Sequence, residues 1–109
     1  MNVKRINDWA FDDRLTAARR PLVTLFAWFG LNRYDVLRQE FRELAAAYSE
    51  VDFCEIDLLE NPSISKRYSI AAVPTTIVFV AGAERARHHG PLFERSVESV
   101  LGPTREKEE

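Results

Sequence analysis

The chain has 109 residues, which leaves room for one domain and not two. With 46% hydrophobic and 29% charged residues it has an ordinary globular composition, enough to bury about 60–70% of the surface its unfolded form exposes. A net charge of −2 argues against a nucleic-acid partner, the single cysteine excludes an internal disulfide, and no apolar run approaches the ~20 residues of a membrane span.

Met1 to Asp13 is polar and lacks the apolar core of a signal peptide, so a cytoplasmic location with no membrane partner is expected. Val3 to Ile6 alternates weakly, as a short edge strand does. Asp8 can cap a helix that places Phe11 and Leu15 on one face. After Pro21, the apolar run Leu22 to Trp28 reads as a central strand buried on both faces. Asn32 to Tyr48 is the clearest helix. Asn32 can cap it, Asp35 suits its N-terminal dipole, and Leu37, Phe41, Leu44, Ala45 and Tyr48 form one apolar stripe.

Val51 to Asp57 is a second strand, and Asn61-Pro62 opens a short helix with Ile64 and Tyr68 turned inward. The β-branched run Thr75 to Val80 is a third. Ala81-Gly82 then turns the chain, and Ala83 to His89 returns antiparallel. Gly90-Pro91 starts a last helix with Phe93, Val97, Val100 and Leu101 on one face. The order β-α-β-α-β-α-β-β-α predicts a three-layer α/β/α sandwich with a mixed central sheet over residues 1–101. The polar segment 102–109 is expected to be a disordered tail.

The loop Ala71-Ala72-Val73-Pro74-Thr75-Thr76 resembles the cis-proline loop of the thioredoxin family. Leu22 to Phe26 is similar to the family's central strand, and Phe41-Arg42-Glu43-Leu44-Ala45 with Tyr48 to its long helix. Asp57, Asn61-Pro62, Arg67-Tyr68-Ser69-Ile70, Gly82 and Gly90 fall at further characteristic positions, so the likeness runs over residues 3 to 101. The same match sets Gly30-Leu31-Asn32-Arg33-Tyr34 where the family has Trp-Cys-x-x-Cys, with Leu31 and Tyr34 in place of the cysteines. The family's buried aspartate falls at Leu25 and the lysine opposite it near Glu55. Thiol–disulfide exchange needs an attacking thiolate and a resolving thiol, so the resemblance implies a redox-inactive member that is not an enzyme.

It also implies a retained peptide groove, built from Trp28, Phe29, Gly30, Leu31, Arg33 and Tyr34, from Val73 and Pro74, and from Gly90, Pro91 and Leu92. In such a groove Trp28 and Leu31 give apolar contact, the Val73 backbone pairs with an extended segment, and Arg33 adds charge selectivity. The expected partner is a protein or peptide, held by a chaperone-like module or assembly adaptor, with no cofactor and no metal. Two groups are similar in lacking the cysteine pair: the thioredoxin domains of holdase co-chaperones and the hydrogenase-maturation chaperones.

Plainer readings stand beside these. Trp28 and Tyr34 can simply fill the core, and the same patch can join two copies, as a homodimer or a structural subunit that acts by oligomerising. Cys54 reads as a buried core residue, or as the thiol of a monothiol oxidoreductase or sensor. Glu55 is either an exposed strand residue or a partly buried carboxylate, which Arg33 or another cation would have to pair to keep it charged. His88 and His89 are adjacent in a strand, point to opposite faces and do not chelate one metal.

Overall fold

The computed structural model describes residues 3–30, 34–91 and 93–103. The elements are β1 (Val3–Arg5), α1 (Asp8–Ala17), β2 (Leu22–Ala27), α2 (Asp35–Ala46), β3 (Asp52–Asp57), α3 (Pro62–Arg67), β4 (Thr75–Val80), β5 (Ala83–His89) and α4 (Glu94–Leu101). They form the α/β/α sandwich that the element order predicts. The sheet runs β1-β3-β2-β4-β5, with β1, β3 and β2 parallel and β4 and β5 antiparallel to their neighbours. β2 lies at the centre, and all six of its residues are buried, which is why its sequence is apolar without alternation.

Each face of the sheet carries its own core. Val23, Leu25, Ala27, Phe53 and Val78 point toward α2 and α4, where Leu37, Phe41, Leu44, Phe93 and Val97 cover them. Leu22, Phe26, Cys54, Ile56, Ile77 and Phe79 point the other way, under Phe11 of α1 and Ile64 of α3. Among the described residues no helix is long and apolar enough to cross a membrane.

Three helix starts differ from the sequence expectation. Asn7, not Asp8, caps α1: its Oδ1 accepts the Ala10 N–H at 3.1 Å. Asp8 sits one residue later, where its carboxylate accepts from the Trp9 N–H and the Ser63 hydroxyl. α2 begins at Asp35 after Tyr34, which gives no side-chain cap; the expected cap, Asn32, lies outside the described residues. α4 begins at Glu94 and not at Gly90-Pro91, because Gly90 adopts φ +103°, a left-handed conformation no helix contains. The 102–109 tail expectation falls largely on residues 104–109, which lie outside the described residues.

The β4–β5 hairpin turns through Ala81 (φ 53°) and Gly82 (φ 80°). Left-handed backbone at both central positions is the two-residue turn whose twist matches the flanking strands.

Candidate functional site

Strand direction gathers three segments at one pole of the sheet. β2 and β3 are parallel and end side by side, Ala27 beside Asp57, and the Leu58 N–H donates to the Ala27 carbonyl at 2.9 Å. β4 runs oppositely, so its first residue, Thr75, lies beside Phe26 and brings Val73-Pro74 next to Trp28. The Val73–Pro74 peptide bond is cis. The Gly90 N–H donates to the Pro74 carbonyl at 2.8 Å and ties the loop before α4 to this corner. Thr75 Oγ1 donates to the Ala72 carbonyl at 2.6 Å and closes the loop from the other side.

The predicted groove residues separate into two kinds. Trp28 and Val73 are half-buried and pack against both cores, while Gly30 and Pro91 are exposed and Gly90 is half-buried. Phe29 and Tyr34 are only 8% and 9% exposed and belong to the α2/α4 core. Both lie beneath the turn and offer little contact surface. Pro74 is buried. Leu31, Arg33 and Leu92 lie outside the described residues. Neither the N–H nor the C=O of Val73 has a partner among the described residues. A backbone donor and acceptor without partners there, beside a half-buried tryptophan, suit an extended chain.

Beneath this corner one register row crosses the whole sheet on the α2/α4 face: Arg5, Glu55, Leu25, Thr76 and His88. The row sets Leu25 directly opposite Glu55, the two positions where the resemblance puts the family's aspartate and lysine. Glu55 is 2% exposed, which corrects the exposed-strand reading. Among the described residues its partner is Arg38 of α2, whose Nη2 lies 3.1 Å from Oε1 and whose Nε lies 3.5 Å from Oε2; Arg33 lies outside them. A guanidinium fork on both carboxylate oxygens is what allows the charge to be buried. Sequence reasoning missed Arg38; the available signal was its place beside Leu37, at the edge of the apolar stripe. It also missed Arg5 and Leu59, an exposed leucine just past the end of β3. The Thr76 hydroxyl in the same row is buried and has no hydrogen-bond partner among the described residues.

Cys54 points to the opposite face and is fully buried. Its Sγ lies 3.3 Å from Thr24 Oγ1. Burial pushes the thiol up to about 12, only partly offset by the Thr24 contact, so it carries almost no thiolate near neutral pH. His88 and His89 lie on opposite faces of β5, and Nδ1 of His89 is 3.0 Å from Thr75 Oγ1.

A family model described as Thioredoxin matches residues 2–101. The chain belongs to the thioredoxin family. Thioredoxin from Staphylococcus aureus, the same in strains MW2 and N315, is 29% identical over 83 residues, covering 75% of this chain and 78% of the relative. Chlamydomonas reinhardtii thioredoxin f2 superimposes with a TM-score of 0.82 at 14% identity, over 94% of this chain and 99% of that one. A designed protein reaches a TM-score of 0.83 at 21% identity, over 93% and 99% of the two chains. These two likenesses show the fold alone.

The relatives named thioredoxin overturn one expectation, that the chain is not an enzyme. The loss of the Trp-Cys-x-x-Cys pattern does not by itself remove a thioredoxin-family chain from the oxidoreductases. What holds is narrower: its one cysteine is Cys54, in the middle of β3 and away from the Trp28–Tyr34 turn.

Proposed function

We propose that this thioredoxin-family chain holds an extended peptide segment of a partner protein, as an assembly adaptor or chaperone-like module. The segment lies across the corner formed by Trp28, Val73-Pro74 and Gly90-Pro91. The observation that carries this reading is the Val73 backbone, whose N–H and C=O have no partner among the described residues. Secondary structure leaves such a pair free at few places, and an added strand satisfies both at once. Trp28 supplies a broad apolar face with an indole donor beside it. One backbone pairing and one indole make a small contact, so we expect micromolar and not nanomolar affinity.

A titration of the isotopically labelled chain with unstructured peptides of about ten residues tests the proposal. The Val73 and Gly90 amide signals and the Trp28 indole signal should shift together as peptide is added. Trp9, 71% exposed on α1, is the internal control and should stay still. Shifts centred on Trp9, or none at millimolar peptide, remove the groove reading.

A further inference from the structure

Two guanidinium groups lie over the Phe29 ring: that of Arg5 is 5.0 Å from the ring centre and that of Arg38 is 4.6 Å. Arg38 is occupied by Glu55. Arg5 is exposed, and no carboxylate pairs with it among the described residues. The cluster therefore holds two positive charges against one negative, with the excess on a guanidinium kept in place by an aromatic face. An arginine already seated on a ring loses less freedom when it takes a ligand.

The strand order places this charge at a defined distance from Val73. Across the pole of the sheet the sequence of strands is β4, β2, β3, β1. An extended segment paired at Val73, beside β4, and running toward β1 passes Trp28 above β2 and Leu59 beyond β3. Leu59 is 61% exposed and gives that path a second apolar contact. Three inter-strand spacings amount to about 14 Å, or four to five residues of extended chain.

We propose that the segment held in the groove is acidic at one position, and that Arg5 over Phe29 receives its carboxylate about four to five residues from the Val73 pairing. The apolar residues between meet Trp28 and Leu59. This specificity rests on the groove reading above. The chain's net charge of −2 gives an acidic peptide no general attraction, so any preference for one has a local source.

The probes are fluorescein-labelled peptides of about ten residues, made of serine and threonine with one leucine. A single glutamate stands about one, three or six residues from the leucine, and a matched set carries glutamine instead. With the leucine over Trp28, two inter-strand spacings from β1, anisotropy at about 50 mM salt should show the glutamate peptide binding about fivefold tighter than its glutamine twin at the spacing near three, and the ratio should shrink as salt is raised. Arg5→Gln should bring the ratio to one, Arg5→Lys should keep part of it, and Arg19→Gln, at the opposite pole of the sheet before β2, should keep all of it. Equal binding of both peptides, a ratio independent of spacing, or a ratio that survives Arg5→Gln overturns the acidic position while leaving the groove standing. If no peptide binds, the groove reading fails and this inference fails with it.

Discussion

The two faces of the central sheet are built from alternate residues of the same strands, yet they are finished differently. On the α1/α3 face, Phe11 meets Phe26, Tyr68 and Phe79 at ring-centre distances of 6.0, 5.2 and 5.8 Å. Polar atoms on that side are matched: the Tyr68 hydroxyl donates to Asp12 at 2.6 Å, and Cys54 sits against Thr24. On the α2/α4 face the central row carries a buried ion pair, Glu55–Arg38, and the Thr76 hydroxyl, which has no partner among the described residues. One face is closed by fit, the other by compensation, and the compensated face is the one that runs up to Phe29 and the proposed groove. Proteins depart from locally consistent packing mainly where a site requires it.

The largest expected effect tests the closed face. Phe11→Ala removes a fully buried ring with aromatic neighbours on several sides, and should cost about 4 kcal/mol in urea unfolding. A cost near 1 kcal/mol means that α1 collapses into the gap, and the contrast between the faces loses its basis. The compensated face should respond differently. Arg38→Leu leaves the Glu55 carboxylate buried without its partner and should cost about 3 kcal/mol. Adding Glu55→Leu should then recover most of the loss, because the second change removes the charge itself. A double variant no better than the single one shows that Glu55 is held by something other than Arg38.

Cys54 sharpens the comparison through pH. Its folded pKa is raised to about 12, whereas in the unfolded chain a thiol titrates near its ordinary value of about 8.5. Above that ordinary value the unfolded chain binds fewer protons than the folded one, so stability should fall as pH rises. The limiting slope is about 1.4 kcal/mol per pH unit, reached between about pH 9 and the folded pKa. Below about pH 8 the contribution is fully present. Urea midpoints from pH 8 to 9.5 should decline in the wild type and stay nearly flat in Cys54→Ala, since Tyr48 and Tyr68 are also raised but add their share mainly above about pH 9.5. Equal slopes in the two proteins show that the thiol reaches solvent in the folded state.

Most of the fold is legible in the sequence because its strong signals are periodic. The β2 run, the α2 stripe and the Ala81-Gly82 turn each follow from residue pattern alone, and the β/α order then fixes the layers. The site is legible only in outline. Val73-Pro74 and Trp28 stand out as residue types, but which neighbours are buried depends on strand register, and register is not written locally. Phe29 and Trp28 are adjacent and both aromatic, yet one is a core residue and the other spans two cores. Glu55 illustrates the same gap: its burial follows from a partner 17 residues away, on a helix whose rotation about its axis the sequence gives only roughly. Arg5 was invisible for the same reason, since its ring partner comes from a turn two elements later.

The smallest effect concerns the start of α1, which anchors the closed face. Sequence alone favours Asp8 as the cap, whereas the geometry gives that role to Asn7. The two are separable because a cap acts through a side-chain oxygen on an otherwise unpaired helix N–H. Asn7→Ala removes the acceptor for the Ala10 N–H and should cost about 1 kcal/mol, whereas Asn7→Gly should cost only a few tenths. Asp8→Ala loses an exposed contact to Ser63 and a first-turn charge, together worth about 0.5 kcal/mol, but it leaves the Asp8 N–H on Asn61 Oδ1 intact. That backbone bond, 3.0 Å long and made with a buried asparagine, fixes the helix against the loop before α3 whichever side chain is removed. Asn7→Ala should therefore fray the first turn without moving Phe11 from its ring contacts. Thermal unfolding of the three variants ranks them, and a larger loss in Asp8→Ala than in Asn7→Ala returns the cap to Asp8.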